Sequence, residues 1–410
     1  MKVLVVSAHF PYPPRWGFAM RVYQLARELA KRHEVTLLSY ATSDDENVTA
    51  VASDFAAEVV RRDPPSVARK RIRQLLSLVS PLPYEARATY SSELQAAVDR
   101  LCAETRFDVV QLESPLVAGL RFPPGTALVL DEHNIEYEVF ERMAARERSP
   151  LRRTFYRLEH ARFRRFEQRV WQSVAGCAVT SEREAPVLRR HAPRLPVQVV
   201  PNGVDADYFR PSGAAVDPDE IVFNGVLDYR PNVDAATFLL DDVLPIVRRR
   251  RPGVHVTLVG RTGDADVAPF TREGVELTGE VPDVRPFLER AAVVAVPIRM
   301  GGGTRLKVVE GLALARPMVS TSLGCEGVGV RDGQELLVGD TAEAFAEQLL
   351  RLLDDRGLAD RLGRAGRDLM QRECSWQAAA GRLEGLYEMI MGPAGEVDPD
   401  PRPLLAARES

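Results

Sequence analysis

The residues best suited to chemistry lie in one short stretch, where a glycine run is followed by basic and acidic side chains. They are Gly301, Gly302, Gly303, Thr304, Arg305, Lys307 and Glu310. Consecutive glycines allow a backbone to adopt strained conformations and to approach a ligand closely. Two cations in the first turn of a helix oppose its dipole by about 0.3 to 1 kcal/mol each. A phosphate between Arg305, Lys307 and the free N–H groups of the helix N-terminus would remove that conflict.

Glu310 follows Lys307 by three positions, so both side chains project from the same helix face. A carboxylate one turn deeper than a phosphate site suits the two adjacent hydroxyls of a ribose. Only four of the 54 basic residues are lysines, which makes Lys307 stand out from the arginine-rich background. The competing interpretation is a solvated helix face after an ordinary glycine turn, and spacing alone does not decide between the two.

A strand and a helix must position this stretch. The apolar run Val293–Ile298 is too short for a buried helix and predicts a buried strand. Thr304 suits the N-cap of the following helix, which we expect to end before Pro317. The buried stripe of that helix is predicted at Leu306, Val309 and Ala313.

The N-terminal part begins with a strand at Lys2–Ser7, a helix at Val22–Lys31 and a strand at Val35–Ser39. This order is typical of a βαβ unit in a parallel sheet. The loop after the first strand lies where ligands bind in such sheets, and it holds His9 and Gly17. A loop histidine bonded to the backbone is the favoured interpretation of His9.

A second histidine follows another predicted strand. His133 comes after the apolar run Ala127–Leu130, at the carboxyl end that faces a ligand in a parallel sheet. This position favours a functional over a structural histidine. A further strand is predicted at Phe107–Glu113, and the arginine-rich segment Val59–Arg106 is predicted to be mainly helical.

Length and composition limit the class of protein. A chain of 410 residues exceeds one hydrophobic core, so two domains are expected. With 45% hydrophobic residues and a formal net charge of −4, an ordinary soluble protein is predicted, without nucleic acid as a partner. No apolar stretch reaches about 18 residues, the length that a membrane-spanning helix needs. The first apolar run is too short for a signal peptide. The four cysteines are far apart, which is typical of reduced thiols and not of a zinc site or a disulfide framework. These features predict a cytoplasmic location.

The strand and helix alternation restarts after a proline-flanked linker at 212–218. We therefore predict an α/β chain with two Rossmann-like domains. The predicted bounds are 1–198 for the N-terminal domain and 199–374 for the C-terminal domain, with a helix at 375–391 that packs back on the first domain. A flexible tail is predicted at 392–410.

The segment Glu141–Trp171 contains ten arginines interleaved with aromatic residues. A solvated amphipathic helix is the default interpretation. The alternative is that Arg142–Arg169 contacts an anionic membrane or a phosphate-bearing acceptor, which would add a peripheral association with the inner face of the membrane.

Several motifs together resemble retaining glycosyltransferases of the GT-B architecture and family-four type, also called glycosyl transferases group 1. They are VVPNGVDADYFRP at 199–211, FNGVLDYRPNVDA at 223–235, the run from LTGEVPDV to RPMVST at 277–321, and SW at 375–376. The resemblance implies two Rossmann-like domains facing across a cleft. It implies a nucleotide-sugar donor, UDP- or GDP-linked, held mainly by the C-terminal domain with neither a metal nor another cofactor. The acceptor would be a sugar, a lipid-linked glycan or a small natural product.

The resemblance also implies roles for individual residues. Glu310 matches the second glutamate of the family's E-x(7)-E motif, which holds the ribose hydroxyls. The first glutamate would fall at Gly302, so this chain departs from the pattern there. Lys307 and Arg305 match a diphosphate clamp, to which the glycine loop and Thr304 would contribute.

Three more positions carry weaker matches. His133 matches a histidine close to the reacting sugar, and Gly17 lies in a loop that approaches the donor phosphates in relatives. Arg230 lies near the place of a phosphate-binding lysine, whereas Val226 stands where relatives have an arginine.

Three rival functions remain open from the sequence. An NAD-dependent dehydrogenase would have Rossmann domains, but no G-x-G-x-x-G motif follows the first strand. A nucleotide-sugar epimerase would bind the same donor without an acceptor. The missing carboxylate at Gly302 could also mark a catalytically silent binding subunit.

Overall fold

The computed structural model describes residues 1–14, 16–42, 51, 53–62, 80–147, 149–263, 267–301 and 305–392. The chain forms two compact units, the first from Met1–Pro201 together with Trp376 onwards, and the second from Asn202–Ser375. This division falls within a few residues of the predicted domain bounds. Most of the predicted tail, 393–410, lies outside the described residues.

The first unit contains a parallel sheet of seven strands in the order β3-β2-β1-β4-β5-β6-β7. The strands are β1 (Lys2–Ser7), β2 (Glu34–Ala41), β3 (Ala56–Arg61), β4 (Val109–Leu112), β5 (Ala127–Glu132), β6 (Gly176–Val179) and β7 (Val197–Val199). β1 pairs with β2 on one side and β4 on the other, so the strand order reverses between β1 and β4. Ligands bind at such reversal points in open α/β sheets, outside the carboxyl ends of the strands.

Helices cover this sheet because most of its strand residues are apolar and buried on both faces. They are α1 (Gly17–Ala30), α2 (Tyr84–Thr89), α3 (Ser92–Glu104), α4 (Glu136–Arg146), α5 (Pro150–Trp171) and α6 (Ala185–His191). The prediction of a mainly helical segment at Val59–Arg106 is wrong at its start, where β3 pairs with β2. Residues 63–79 lie outside the described part of the chain.

The second unit contains a parallel sheet of six strands in the order β10-β9-β8-β11-β12-β13. Its strands are β8 (Asp217–Asn224), β9 (His255–Val259), β10 (Val275–Leu277), β11 (Ala291–Val296), β12 (Met318–Ser320) and β13 (Leu337–Val338). Its helices are α7 (Arg230–Thr237), α8 (Leu244–Arg250), α9 (Arg285–Arg290), α10 (Leu306–Ala313), α11 (Ala342–Asp354) and α12 (Arg356–Glu373). A π-helical segment, Phe238–Val243, joins α7 to α8. The predicted α/β class with two Rossmann-like domains is therefore confirmed.

The helix α10 starts later than the sequence predicts. Its first helical residue is Leu306, and Arg305 occupies the N-cap position without a side-chain capping bond. The predicted N-cap, Thr304, lies outside the described residues. Val309 and Ala313 are buried as predicted, whereas Leu306 is only half-buried.

The last helix, α13 (Trp376–Met391), belongs to the first unit. It packs against α1, β6 and β7. Gly176 in β6 makes this close approach feasible, because a Cβ atom there would lie 3.0 Å from Ile390 and 3.1 Å from Leu386. Within the described residues, none of the helices is both long enough and apolar enough to cross a bilayer.

Candidate active site

Lys307 lies at the start of α10, between the carboxyl end of β8 and the beginning of α7. Its Nζ donates a hydrogen bond of 2.9 Å to the Oδ1 atom of Asn232 in α7. The same nitrogen lies 4.4 Å from the centre of the Phe223 ring at the end of β8. Since β8 and β11 are neighbours in the sheet, the loops that follow them bring two helix N-termini to this lysine.

Gly225 leaves the space that Lys307 occupies. A Cβ atom at this position would lie 2.7 Å from Nζ of Lys307 and 2.9 Å from Cγ of Asn232. The Nδ2 atom of Asn232 donates to the carbonyl of Val226 at 2.8 Å, which fixes the amide with its oxygen toward the lysine. The positions of lysine, asparagine and glycine therefore depend on one another.

Burial controls the charge of this site. Burial lowers the pKa of Lys307 to about 7, the nearby Arg305 lowers it as well, and Glu310 opposes both effects. Burial likewise raises the pKa of Glu310 to about 7, against the opposing effect of Lys307. No hydrogen bond or ion pair joins the Glu310 carboxylate to another residue in the described part of the chain. Both groups are thus poised to change charge near neutral pH when a ligand arrives.

The loop that precedes α10 supplies Arg305. Gly301 has a φ of +103°, so its backbone adopts a conformation that side chains disfavour. A Cβ atom there would lie 3.2 Å from Nη2 of Arg305 and 3.6 Å from Cγ of Pro231 in α7. Arg305 therefore lies close to the start of α7, whose first residue is the half-buried Arg230. The predicted loop residues Gly302, Gly303 and Thr304 lie outside the described residues.

The sequence reasoning missed three contributors to this site, namely Phe223, Gly225 and Asn232. All three lie within the motif FNGVLDYRPNVDA, in which the resemblance indicated roles only at positions 226 and 230. The sequence features that could have indicated them are the Asn-Gly pair at a strand end and the asparagine in the first turn of a helix. Neutral side chains of this kind are difficult to assign because their role depends on the partner that they hold.

A second cluster of polar residues lies in the first unit, around His133. This histidine follows β5 directly, and its Nε2 atom lies 3.0 Å from Oε2 of Glu113. It also lies 3.5 Å from Oδ2 of Asp131. The His133 side chain is 11% exposed, whereas the two carboxylates are fully buried. The ring is thus held in place by carboxylates at the carboxyl ends of β4 and β5.

Both carboxylates have further partners. Arg21 of α1 donates to Asp131 with two hydrogen bonds of 2.7 and 2.9 Å, and it donates to the carbonyl of Val200 at 2.8 Å. The Gln111 amide donates to Glu113, and the hydroxyl of Tyr387 in α13 donates to Gln111. Burial raises the pKa of Glu113, and the hydrogen bond from His133 opposes that rise.

Aromatic side chains cover the other side of His133. Phe18 in α1 lies 4.7 Å from its ring, and Trp16 stacks on Phe18 with the ring centres 5.3 Å apart. Trp16 is 45% exposed. His9 packs edge-on against both aromatic rings. Among the residues that the structure describes, its ring makes these aromatic contacts and not the predicted bond to the backbone. Gly17, predicted in the loop, is instead the first residue of α1.

Glu113, Asp131 and His133 bring ligand atoms within 4.8 Å of one another, which is a spacing that a metal ion could use. The arrangement suits a cation poorly, because the Arg21 guanidinium already binds both oxygens of Asp131. Both oxygens of Asp131 are therefore already engaged, and Glu113 and His133 alone offer fewer ligands than a metal ion usually takes.

Comparison with known proteins identifies the family. Residues 16–208 match the family model described as Glycosyltransferase Family 4, and residues 218–355 match the one described as Glycosyl transferases group 1. The glycogen synthase of Mycobacterium tuberculosis is 25% identical over 98% of this chain and 97% of its own length. A GDP-mannose-dependent alpha-(1-6)-phosphatidylinositol monomannoside mannosyltransferase of the same organism is 29% identical over 47% of this chain and 55% of its own length.

A solved structure shows the same fold. The Anabaena protein HepE, in complex with UDP-glucose, superposes with a TM-score of 0.67 at 14% identity. The superposition covers 94% of this chain and 98% of HepE. Together, the two matched family models, the full-length relative and the shared fold show that this chain is a glycosyltransferase of the group 1, family-four type with the GT-B fold.

Proposed function

We propose that this glycosyltransferase moves a sugar from a nucleotide-sugar to an acceptor hydroxyl with retention of the anomeric configuration and without a metal ion. The observation that carries the proposal is the half-buried Lys307, whose ammonium is held by Asn232 where two helices begin. A half-buried amine with no carboxylate bonded to it in the described residues is suited to a ligand that brings negative charge.

The chemical step follows from the charge on the donor. The bond between the anomeric carbon and the diphosphate oxygen breaks, and its electron pair stays on the diphosphate. Lys307, Arg305 and the N-terminus of α10 stabilise that charge, and each such fixed group typically contributes about 3 kcal/mol in a closed site. The acceptor hydroxyl attacks from the face that the diphosphate leaves, and its proton passes to the departing oxygen. Retention results because both groups use the same face.

The donor is proposed to be a UDP- or GDP-sugar. HepE forms a complex with UDP-glucose, and the mannosyltransferase is GDP-mannose-dependent. Glu310, one turn beyond Lys307, would accept hydrogen bonds from the ribose that both donors share. Arg230 and the loop residues 302–304 would complete the diphosphate site, and Gly17 would line the donor side of the first unit.

The acceptor is proposed to be membrane-associated, a lipid-linked glycan in preference to a small natural product. The exposed arginines of α5 are Arg152, Arg153, Arg157, Arg164, Arg165 and Arg169. The two carboxylates of this helix, Glu159 and Glu167, are buried and bind other groups. The exposed side of α5 therefore carries positive charge alone. Leu151, 85% exposed, and Leu158, seven residues later, lie on one face of the helix.

A surface of this kind suits anionic lipid, since each arginine near such a surface contributes about 1 kcal/mol and leucines insert among the acyl chains. Two arginines within the predicted range Arg142–Arg169 do not belong to this exposed set. Arg142 forms an ion pair with Glu138, and Arg162 is buried against Glu159. Binding to vesicles with and without phosphatidylglycerol should depend on the anionic lipid, and Leu151→Ala combined with Arg152→Glu should weaken it.

The reaction is tested by incubating the protein with UDP-glucose or GDP-mannose, with and without a lipid-glycan extract, and measuring free nucleoside diphosphate. Acceptor-dependent release in the presence of EDTA supports the proposal, and the anomeric proton coupling of the product reports retention. Release of an isomerised nucleotide-sugar without acceptor would identify an epimerase. Donor binding without turnover would identify a silent binding subunit.

Lys307→Ala should lower turnover by about 10² or more, the usual loss for one fixed donor of this type. Lys31→Ala is the matched control, because the Lys31 ammonium lies on the surface and binds Glu28 of its own helix turn. Equal activity in both variants would contradict the role of Lys307.

A further inference from the structure

Nε2 of His133 contacts carboxylates of the protein itself, which leaves Nδ1 as the ring nitrogen that can bind a substrate. Glu113 lies 3.0 Å from Nε2, and Asp131 lies 3.5 Å from it. Nδ1 has no hydrogen-bond partner among the residues that the structure describes. Which nitrogen of an imidazole carries a proton is set by the bond that the other nitrogen makes.

Charge reinforces this arrangement. The buried cluster contains two carboxylates, Glu113 and Asp131, and one guanidinium, Arg21. One further proton is needed for neutrality, and a buried cluster favours neutrality. The short contact between Glu113 and His133 is the place where that proton can be held, on either partner. In both arrangements Nε2 remains bonded to Glu113.

The carboxylate is itself held in place by a chain of buried side chains. Gln111 donates to Glu113, and Tyr387 of the C-terminal helix α13 donates to Gln111. All three side chains are buried. The backbone N–H of Glu113 also donates to the carbonyl of Val6 in β1 at 3.0 Å. The carboxylate therefore cannot rotate away from His133 without leaving buried polar groups unsatisfied.

We propose that Glu113 is a positioning residue, which binds Nε2 of His133 so that Nδ1 is presented to a hydroxyl of the sugar substrate, and that Tyr387 supports it through Gln111. The proposal rests on the proposed transferase reaction. It gives the last helix of the chain a part in catalysis that neither its sequence nor the nucleotide site indicates.

The first test compares Glu113→Gln, His133→Ala and the double variant by steady-state kinetics. Glu113→Gln should lower kcat by about 10- to 100-fold and leave the affinity for nucleoside diphosphate unchanged. In the His133→Ala background it should have no further effect, because its partner is already absent. Losses that multiply in the double variant would overturn the proposal.

Imidazole ¹⁵N chemical shifts provide a test that needs no turnover. In the wild-type protein the Nε2 signal of His133 should show the effect of its hydrogen bond to Glu113, and in Glu113→Gln that signal should move. The His133→Ala spectrum assigns the signals. Glu167→Gln is the matched control, since this buried carboxylate of the same unit accepts backbone N–H groups of Glu136 and Tyr137 instead. Identical His133 signals in wild type and Glu113→Gln would overturn the proposal even if the proposed reaction is correct.

Tyr387→Phe tests the contribution of α13. It removes one hydroxyl and leaves the ring that fills the buried space, so thermal stability should fall only slightly. A kcat reduced by about 2- to 10-fold, with the His133 signals shifted in the same direction as in Glu113→Gln, is expected if the chain of hydrogen bonds acts as a unit. An unchanged kcat and spectrum would restrict the positioning role to Glu113. Absence of activity in the wild-type protein would instead refute the proposed function, while the spectra would still decide the role of Glu113.

Discussion

The affinity for the diphosphate should depend on pH through Lys307. In the free protein burial lowers the pKa of Lys307 to about 7. A bound diphosphate favours the charged ammonium and raises that pKa. Binding should then take up a proton. The full affinity should be present below pH 7 and should be lost as the pH rises through the pKa that Lys307 has in the free protein.

The expected size follows from linkage. Each pH unit above 7 lowers the population of the protonated free amine about tenfold, which corresponds to about 1.4 kcal/mol of binding free energy. Affinity for UDP or GDP should therefore fall by roughly 30-fold between pH 7.5 and pH 9. This window lies above the second phosphate pKa of about 6, so the phosphate groups of the ligand do not titrate there.

Isothermal titration in buffers of different ionisation enthalpy measures the proton uptake directly. At pH 8 about 0.9 proton should be taken up per diphosphate bound, since only about a tenth of the free lysine is charged there. Glu310→Gln is a useful second protein for this measurement, because it lacks the carboxyl group that could release a proton when the ribose binds.

Two variants control this measurement. Lys307→Met should bind weakly at every pH in the window, with no proton uptake. Lys307→Arg carries a charge that does not titrate, so any affinity that it keeps should be independent of pH. Wild-type affinity that is constant from pH 7.5 to 9, with no proton taken up, would refute the reasoning about this lysine.

Four further outcomes are expected. Gly225→Ala should weaken diphosphate binding by about 10-fold or more without unfolding the protein, because the added methyl group displaces Lys307. Calorimetry measures the affinity, and unchanged binding would contradict this role of Gly225. Glu310→Gln should reduce the preference for ribose over 2′-deoxyribose nucleotides by about 1 to 3 kcal/mol, and an unchanged preference would place the carboxylate outside the ribose site. His133→Ala should lower kcat by about 10² or more while nucleotide affinity stays constant; the reverse pattern would make this histidine structural. Burial raises the pKa of Glu136 to about 8, so this carboxyl group destabilises the folded state increasingly as the pH rises from about 4.5 to 8. Glu136→Gln should therefore raise the melting temperature at pH 8 more than at pH 5. An equal change at both pH values would refute the role given to burial.

The sheets were predictable because their strands are apolar runs of the right length. The strands at 2–7, 318–320 and 221–224 coincide with or lie within observed strands. β3 was missed because its sequence, AAEVVR, is only partly buried at an edge of the sheet and has no continuous apolar character. Local patterns report burial, so edge strands give a weak signal.

The charged residues of the site were predictable from a conflict with the helix dipole, but their partners were not. Asn232 lies 75 positions before Lys307, and nothing in its local sequence indicates which side chain its amide will bind. Glu113 and Tyr387 present the same difficulty in the first unit. Glu113 ends a predicted strand, but its contact with His133 depends on the pairing of β4 with β5.

Trp16 allows the loop after β1 to be followed by intrinsic fluorescence. The protein contains three tryptophans, and the other two are buried, Trp171 completely and Trp376 to 6% exposure. Collisional quenching of intrinsic fluorescence by acrylamide should therefore be dominated by Trp16. A sugar or lipid that settles on the aromatic stack beside His133 would shield this ring, whereas a molecule that binds elsewhere would leave its quenching unchanged. The wild-type protein thus carries its own optical reporter of occupancy at the His133 side, with no label attached.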